Sequence, residues 1–146
     1  MSTPTAVQVA ITFVWLGMVL AISFLEAPLK FRAPNVTLQI GLGIGRLVFR
    51  ALNTVEMVFA AGIVLAALMS RPSTVVVTAF AVAVGALVVQ LVAVRPRLNR
   101  RSDAVLAGRV GPRSHGHHVY VVLELIKVVA LLVAGVCLLA SVGGAP

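Results

Sequence analysis

Residues 119–140 read VYVVLELIKVVALLVAGVCLLA, an apolar run interrupted only by Tyr120, Glu124 and Lys127. About 20 apolar residues of helix cross the hydrocarbon core of a bilayer, and this run suffices. Residues 7–25, 47–69 and 74–94 have the same character. The fold class that follows is all-α: a polytopic integral-membrane four-helix bundle, with one transmembrane domain over residues 1–146. Pro28, Pro72 and Pro96 fall at span ends, where a helix can stop without leaving carbonyls bare in lipid. The link SRPS at 70–73 makes the second and third spans an antiparallel hairpin.

Composition leads to the same class. The chain has 146 residues, 60% apolar and 11% charged, with a mean hydropathy of +1.09. Soluble domains average about 45–50% apolar and about 25% charged. A chain this short has too much surface for its volume to hide the excess from water. The formal charge of +8 raises nucleic acid as a partner. Yet the basic residues lie between the apolar runs and stripe no face, so nucleic-acid binding is set aside in favour of a topology signal. Cys137 is the only cysteine, which leaves no internal disulfide and no Cys-based zinc site. The amino end MSTPTAVQ lacks the positive region of a cleavable signal peptide.

The connections differ in charge. The first carries Lys30, Arg32 and Arg46, with Arg50 just inside the next span; the third carries Arg95, Arg97, Arg100, Arg101, Arg109 and Arg113. The opposite side offers Arg71. Loops rich in Lys and Arg stay cytoplasmic, so the expected localisation is a multi-pass protein of a bacterial-type plasma membrane, both termini outside. Anionic lipid headgroups are natural partners of the basic loops. Within the first loop, NVTLQIGLGIGRLVFR is apolar but has glycines at 41, 43 and 45. It predicts a surface-lying segment that kinks into the second span. In the third, SDAVLAGRVGPRSHGHH predicts a short helix after Ser102 or Asp103 and then a turn.

Shifted by 68 residues, the chain partly matches itself: Pro4, Gly17, Pro28, Arg32, Gly43 and Glu56 meet Pro72, Gly85, Pro96, Arg100, Gly111 and Glu124. Two tandem pseudo-symmetric helical hairpins, related by an axis along the membrane normal, are the corresponding expectation.

Glu26, Glu56 and Glu124 lie in or against spans, and each charge near a helix centre costs about 2.5–3.5 kcal/mol on insertion scales. Arg46, Arg50, Asn53 and Glu56 follow the 3–4 spacing of one helix face, as do His117, Tyr120, Glu124 and Lys127. The first span shows Gln8, Thr12, Trp15 and Glu26, and the third little beyond Gln90. Glu56 and Glu124 come about 10 Å below the inner surface at 1.5 Å per residue. The candidate polar cluster is therefore Glu26, Arg50, Asn53, Glu56, Tyr120, Glu124 and Lys127. Glu26 sits unfavourably at a helix carboxyl end, and Pro28 is expected to separate it from Lys30. Arg50 or Lys127 is its expected partner.

His115, His117 and His118 suggest metal chemistry with Glu124, but their spacing matches no metal motif and no metal ligand set is assigned. The glycine-rich stretches match no nucleotide fingerprint. No Ser/His/Asp or Cys/His arrangement supports catalysis, so no catalytic residue and no cofactor is expected.

Several short stretches together resemble the transmembrane-protein-205-like group of small four-helix membrane proteins. They are FLEAPLKF (24–31), GIGRLVF (43–49), VRPRLNRRSDAV (94–105) and HGHHVYVVLEL (115–125). The resemblance implies a compact four-helix fold. Glu26, Glu56 and Glu124 do not map onto that group's pattern, so no residue role is carried over. The leading functional expectation is a non-enzymatic membrane subunit whose polar cytoplasmic half stabilises the bundle and engages a second copy or another membrane protein. The alternative is a proton-coupled carrier or ion pathway using Glu56, Glu124 and Lys127, and the third is a metal or redox subunit.

Overall fold

The computed structural model describes residues 1–109 and 116–144. Four helices long and apolar enough to cross a membrane make up the described chain: α1 (Thr3–Arg32), α2 (Leu38–Ser70), α3 (Thr74–Leu106) and α4 (Gly116–Gly143). At 28 to 33 residues each, they reach about 42–50 Å at 1.5 Å per residue. That is longer than a hydrocarbon core of about 30 Å; the end bearing the basic loops is here termed the basic end. Ser2, Thr37 and Ser73 cap α1, α2 and α3 by accepting the amide of the third residue on. Arg71 closes α2 in the left-handed region, with φ 48°.

Two expectations for the basic end are corrected. Leu38–Ser70 is one uninterrupted helix, with no separate surface segment. Gly41 and Gly45 lie on the same face of its first turns and let α1 approach. A methyl at Gly41 would strike the Phe31 ring, and one at Gly45 would stand 2.8 Å from Lys30 Nζ. Nor does a new helix begin after Ser102, because α3 runs through Pro96 to Leu106. The part of the expected turn at residues 110–115 lies outside the described residues.

Pro28 and Pro96 fail to stop their helices for a shared reason. Each follows a widened, π-helical stretch, Leu20–Glu26 in α1 and Gln90–Val94 in α3. Ala27 N–H donates to Ile22 O and Arg95 N–H to Gln90 O, five residues back in both cases. The looser turn relieves the clash between a proline ring and the carbonyl four residues before it.

α1 packs on α2 and α4, and α3 packs mainly on α4; α2 and α3 share a smaller interface despite their short link. The apolar core fills the half away from the basic end and is built from Trp15, Val19, Ile63, Phe80, Ala83 and Leu131 among others. Small residues such as Ala60, Ala83, Ala130 and Ala134 at the helix contacts let backbones come close. Leu47, Leu68, Met69 and Val92 point outward, as lipid-facing residues do.

Candidate functional site

Below the apolar core, all four helices contribute a polar side chain to one buried cluster. Its centre is Lys127 on α4, fully buried. Lys127 Nζ donates to Glu56 Oε1 on α2 and to Gln90 Oε1 on α3 at 2.8 Å, and is ion-paired with Glu124 Oε1 at 2.7 Å. Of the three protons an ammonium has to give, two go to Glu56 and Gln90. Glu56 and Lys127 are 0% exposed and Glu124 is 1% exposed, so water does not satisfy these charges.

The two carboxylates are held differently. Glu124 accepts from Gln90 Nε2 at 2.6 Å and from Ser23 Oγ of α1 at 2.6 Å, and is ion-paired with Lys127. Both of its oxygens are thereby occupied. Glu56 Oε1 accepts from Lys127 and from the Trp15 indole of α1 at 2.9 Å, but its buried Oε2 has no hydrogen-bond partner. Asn53, a turn toward the basic end on α2, is also buried with its amide oxygen unpartnered. On α1 a polar line continues the other way through Thr12, whose hydroxyl donates to Gln8 O at 2.6 Å, to the fully buried Gln8 amide.

The widened turns supply two of these contacts. Gln90 opens the π-helical stretch of α3 and Ser23 lies within that of α1. An extra residue per turn rotates the side chains that follow relative to an unbroken helix. Such turns are frequent at functional sites.

Of the seven residues expected to cluster, Glu56, Glu124 and Lys127 meet, with Asn53 and Tyr120 buried beside them. Glu26 and Arg50 do not join. Glu26 is half-exposed and pairs with Lys30 at 3.6 Å, not with Arg50 or Lys127. The helix continues through Pro28, so Lys30 is one turn away after all. Arg50 is exposed; it lies six residues, about 120° around the helix, from Glu56. Gln90 was read as minor and is a bridge; Trp15 was placed on the polar stripe without a partner; Ser23 was missed. An amide isolated in the apolar stretch 74–94 was the available signal for Gln90. None marked Ser23.

Toward the basic end the cluster opens into a cavity of 420 Å³, with Ser23 and Glu124 among its lining residues. Lys30, Arg46 and Arg95 bring positive charge to it, and Phe31, Phe49 and Tyr120 bring rings. Lys30 Nζ lies 5.5 Å from the Phe49 ring centre and Arg95 Cζ 5.8 Å from it, within cation–π range. Arg46 ties α2 to α3 through Asp103 Oδ1 at 2.6 Å and Asn99 O at 3.1 Å. Tyr120 meets Phe49 edge-on at 5.5 Å, and its hydroxyl has no partner.

Among the described residues no group of three or more His, Cys, Asp or Glu is placed to hold a metal ion. His117 and His118 lie 6.1 Å apart, ring edge to face, and His115 is outside the described residues. No protein-family model matches the chain, and neither a curated protein nor a solved structure is significantly similar to it.

Proposed function

We propose that the chain is a non-enzymatic, proton-linked carrier of a bacterial-type plasma membrane, in which the Glu56–Lys127–Glu124 triad takes up and releases one proton. One observation carries this reading: two carboxylates and a single ammonium, all withdrawn from solvent. Fully ionised, the triad would hold a net negative charge where unpaired charge is most costly. One proton restores neutrality. Glu124 is saturated with donors, so the proton belongs on Glu56 Oε2, the oxygen left without one. The charged and titratable groups that act on it are Lys127, Glu124 and Tyr120 from α4 and Arg95 from α3, while α1 contributes the Trp15 indole.

The basic loops support an orientation with the vestibule cytoplasmic and both termini outside. Gln8, Thr12 and Trp15 then line a polar route toward the outer face. Two tandem hairpins are the proposed origin. The widened turns end at Glu26 and Val94, prolines follow at 28 and 96, and Glu56 and Glu124 both bind Lys127. Each pair is 68 residues apart. Glu56 and Glu124 would be equivalent in origin, with Lys127, opposite Phe59 in the repeat, making them unequal.

A second reading has its own support. Lys127 is held by Glu56, Glu124 and Gln90 and the cluster fastens all four helices, which suits a purely structural staple in a subunit that engages a second copy or another membrane protein. Infrared spectroscopy of the protein in nanodiscs separates the two. The carrier reading expects the carbonyl stretch of a protonated carboxyl group near neutral pH, absent in Glu56→Gln, and proton movement in proteoliposomes under an imposed pH gradient. A spectrum holding only carboxylate bands, or vesicles that pass no protons, would leave the staple.

A further inference from the structure

The vestibule has a chemistry of its own. Lys30 is engaged with Glu26 and Arg46 with Asp103, whereas Arg95, on the same cavity, faces the Phe49 ring and forms no ion pair with a described residue. Tyr120 is 5% exposed, lines the cavity and has a hydroxyl without a partner. A buried hydroxyl left unpaired is costly, and a guanidinium supplies a planar fork of donors suited to an oxyanion. Around them the walls are apolar: Phe24, Phe31, Leu42, Phe49 and Leu98. A volume of 420 Å³ falls within the range of about 300–1,000 Å³ typical of small-molecule sites.

We infer that the vestibule binds a small organic anion, its oxyanion head on Arg95 Nη and Tyr120 Oη and its apolar body against the phenylalanine rings. Its role as cargo rests on the carrier reading. Glu124 lines the same cavity, so an anion seated there adds negative charge beside the triad and favours the proton on Glu56. Anion and proton therefore enter together. The charges facing the seat are Lys30 and Glu26 from α1, Arg46 from α2, Arg95 and Asp103 from α3, and His117, Glu124 and Lys127 from α4.

Benzenesulfonate is a suitable probe because it stays ionised across the working pH range. Calorimetry in detergent micelles should show saturable binding by the wild type and none of the neutral benzenesulfonamide. Loss of a charge-assisted hydrogen bond is worth about 1.5–3 kcal/mol, so Arg95→Gln should weaken binding at least about tenfold. Arg95→Lys should recover part of the loss, and Tyr120→Phe, which keeps the ring on Phe49, should also weaken binding. In weakly buffered solution, binding should draw protons from the medium in the wild type and not in Glu56→Gln. Equal binding of benzenesulfonamide, or undiminished binding by a folded Arg95→Gln protein, would overturn the anion site. Gradient-driven proton movement without benzenesulfonate binding would overturn it too while sparing the carrier reading. Binding without any such movement sinks the carrier and keeps the site.

Discussion

Removing the ammonium and neutralising one carboxylate should have very different consequences. Lys127→Met deletes the cation that Glu56 and Glu124 share, and with it two charge-assisted hydrogen bonds to Glu56 and Gln90 and the ion pair with Glu124. Breaking a buried pair from one side costs about 3–5 kcal/mol, because the abandoned charge stays buried. With the proton on Glu56, the abandoned charge is that of Glu124. Glu56→Gln keeps the shape of the side chain and an oxygen able to accept from Trp15 and Lys127. Its amide nitrogen takes the place of Oε2, which has no donor or acceptor partner to lose. The remaining Glu124–Lys127 pair is neutral. The expected cost is about 1 kcal/mol, of the order of one net hydrogen bond. Reversible unfolding in mixed micelles, titrated with a denaturing surfactant near neutral pH, measures both. A difference of about 2–4 kcal/mol corresponds to a factor of about 30 to 1,000 in the folding equilibrium. Equal losses for Glu56→Gln and Lys127→Met, or a larger one for Glu56→Gln, would show that the Lys127 ammonium does not balance charge in the triad, and the charge-balance reasoning would fail.

Three further outcomes test the framework around the triad. Gly41→Ala drives a methyl into the Phe31 ring and should destabilise by about 1–3 kcal/mol. Gly43→Ala meets nothing within 4 Å and should stabilise by up to about 1 kcal/mol through helix propensity; melting in detergent ranks the two. Arg71 holds φ 48°, a conformation that glycine adopts freely, so Arg71→Gly should raise stability by about 0.5–1 kcal/mol in the same assay. With Cys137 replaced by alanine, single cysteines introduced at Asn35 and Ser73 should react with an impermeant maleimide from opposite sides of the membrane. Labelling from one side would refute the four-span topology.

What could be read in advance depended on whether a helix kept its ordinary period. The four helices follow from apolar length alone. Glu124 and Lys127 could be placed together because the fourth span is regular, and three residues along it return to the same face. Glu56 followed from its depth. Across Leu20–Glu26 and Gln90–Val94 the period changes, and there the wheel projection failed. It missed Ser23 and assigned Glu26 to the interior. Composition alone makes Pro28 and Pro96 stops, because the π-helical turns that accommodate them leave no mark in it. Arg50 misses the cluster for a simpler reason: Arg50 to Asn53 to Glu56 is two steps of three, each about 60° short of a full turn, and together they carry the chain about 120° around the helix. The vestibule depends on how Gly41 and Gly45 let α1 approach, a tertiary contact that their spacing alone read as a hinge.

The two π-helical stretches also bear on how this fold can vary in length. Each carries one residue beyond what an α-turn needs, so a single deletion inside Leu20–Glu26 or Gln90–Val94 would let the ordinary ladder close, sparing the flanking helix a gap. The cost would fall on the polar centre, since Ser23 lies inside the widened turn of α1 and a deletion there would rotate it relative to Glu124. A chain of this fold shortened in α1 would keep its bundle and lose a donor to that carboxylate.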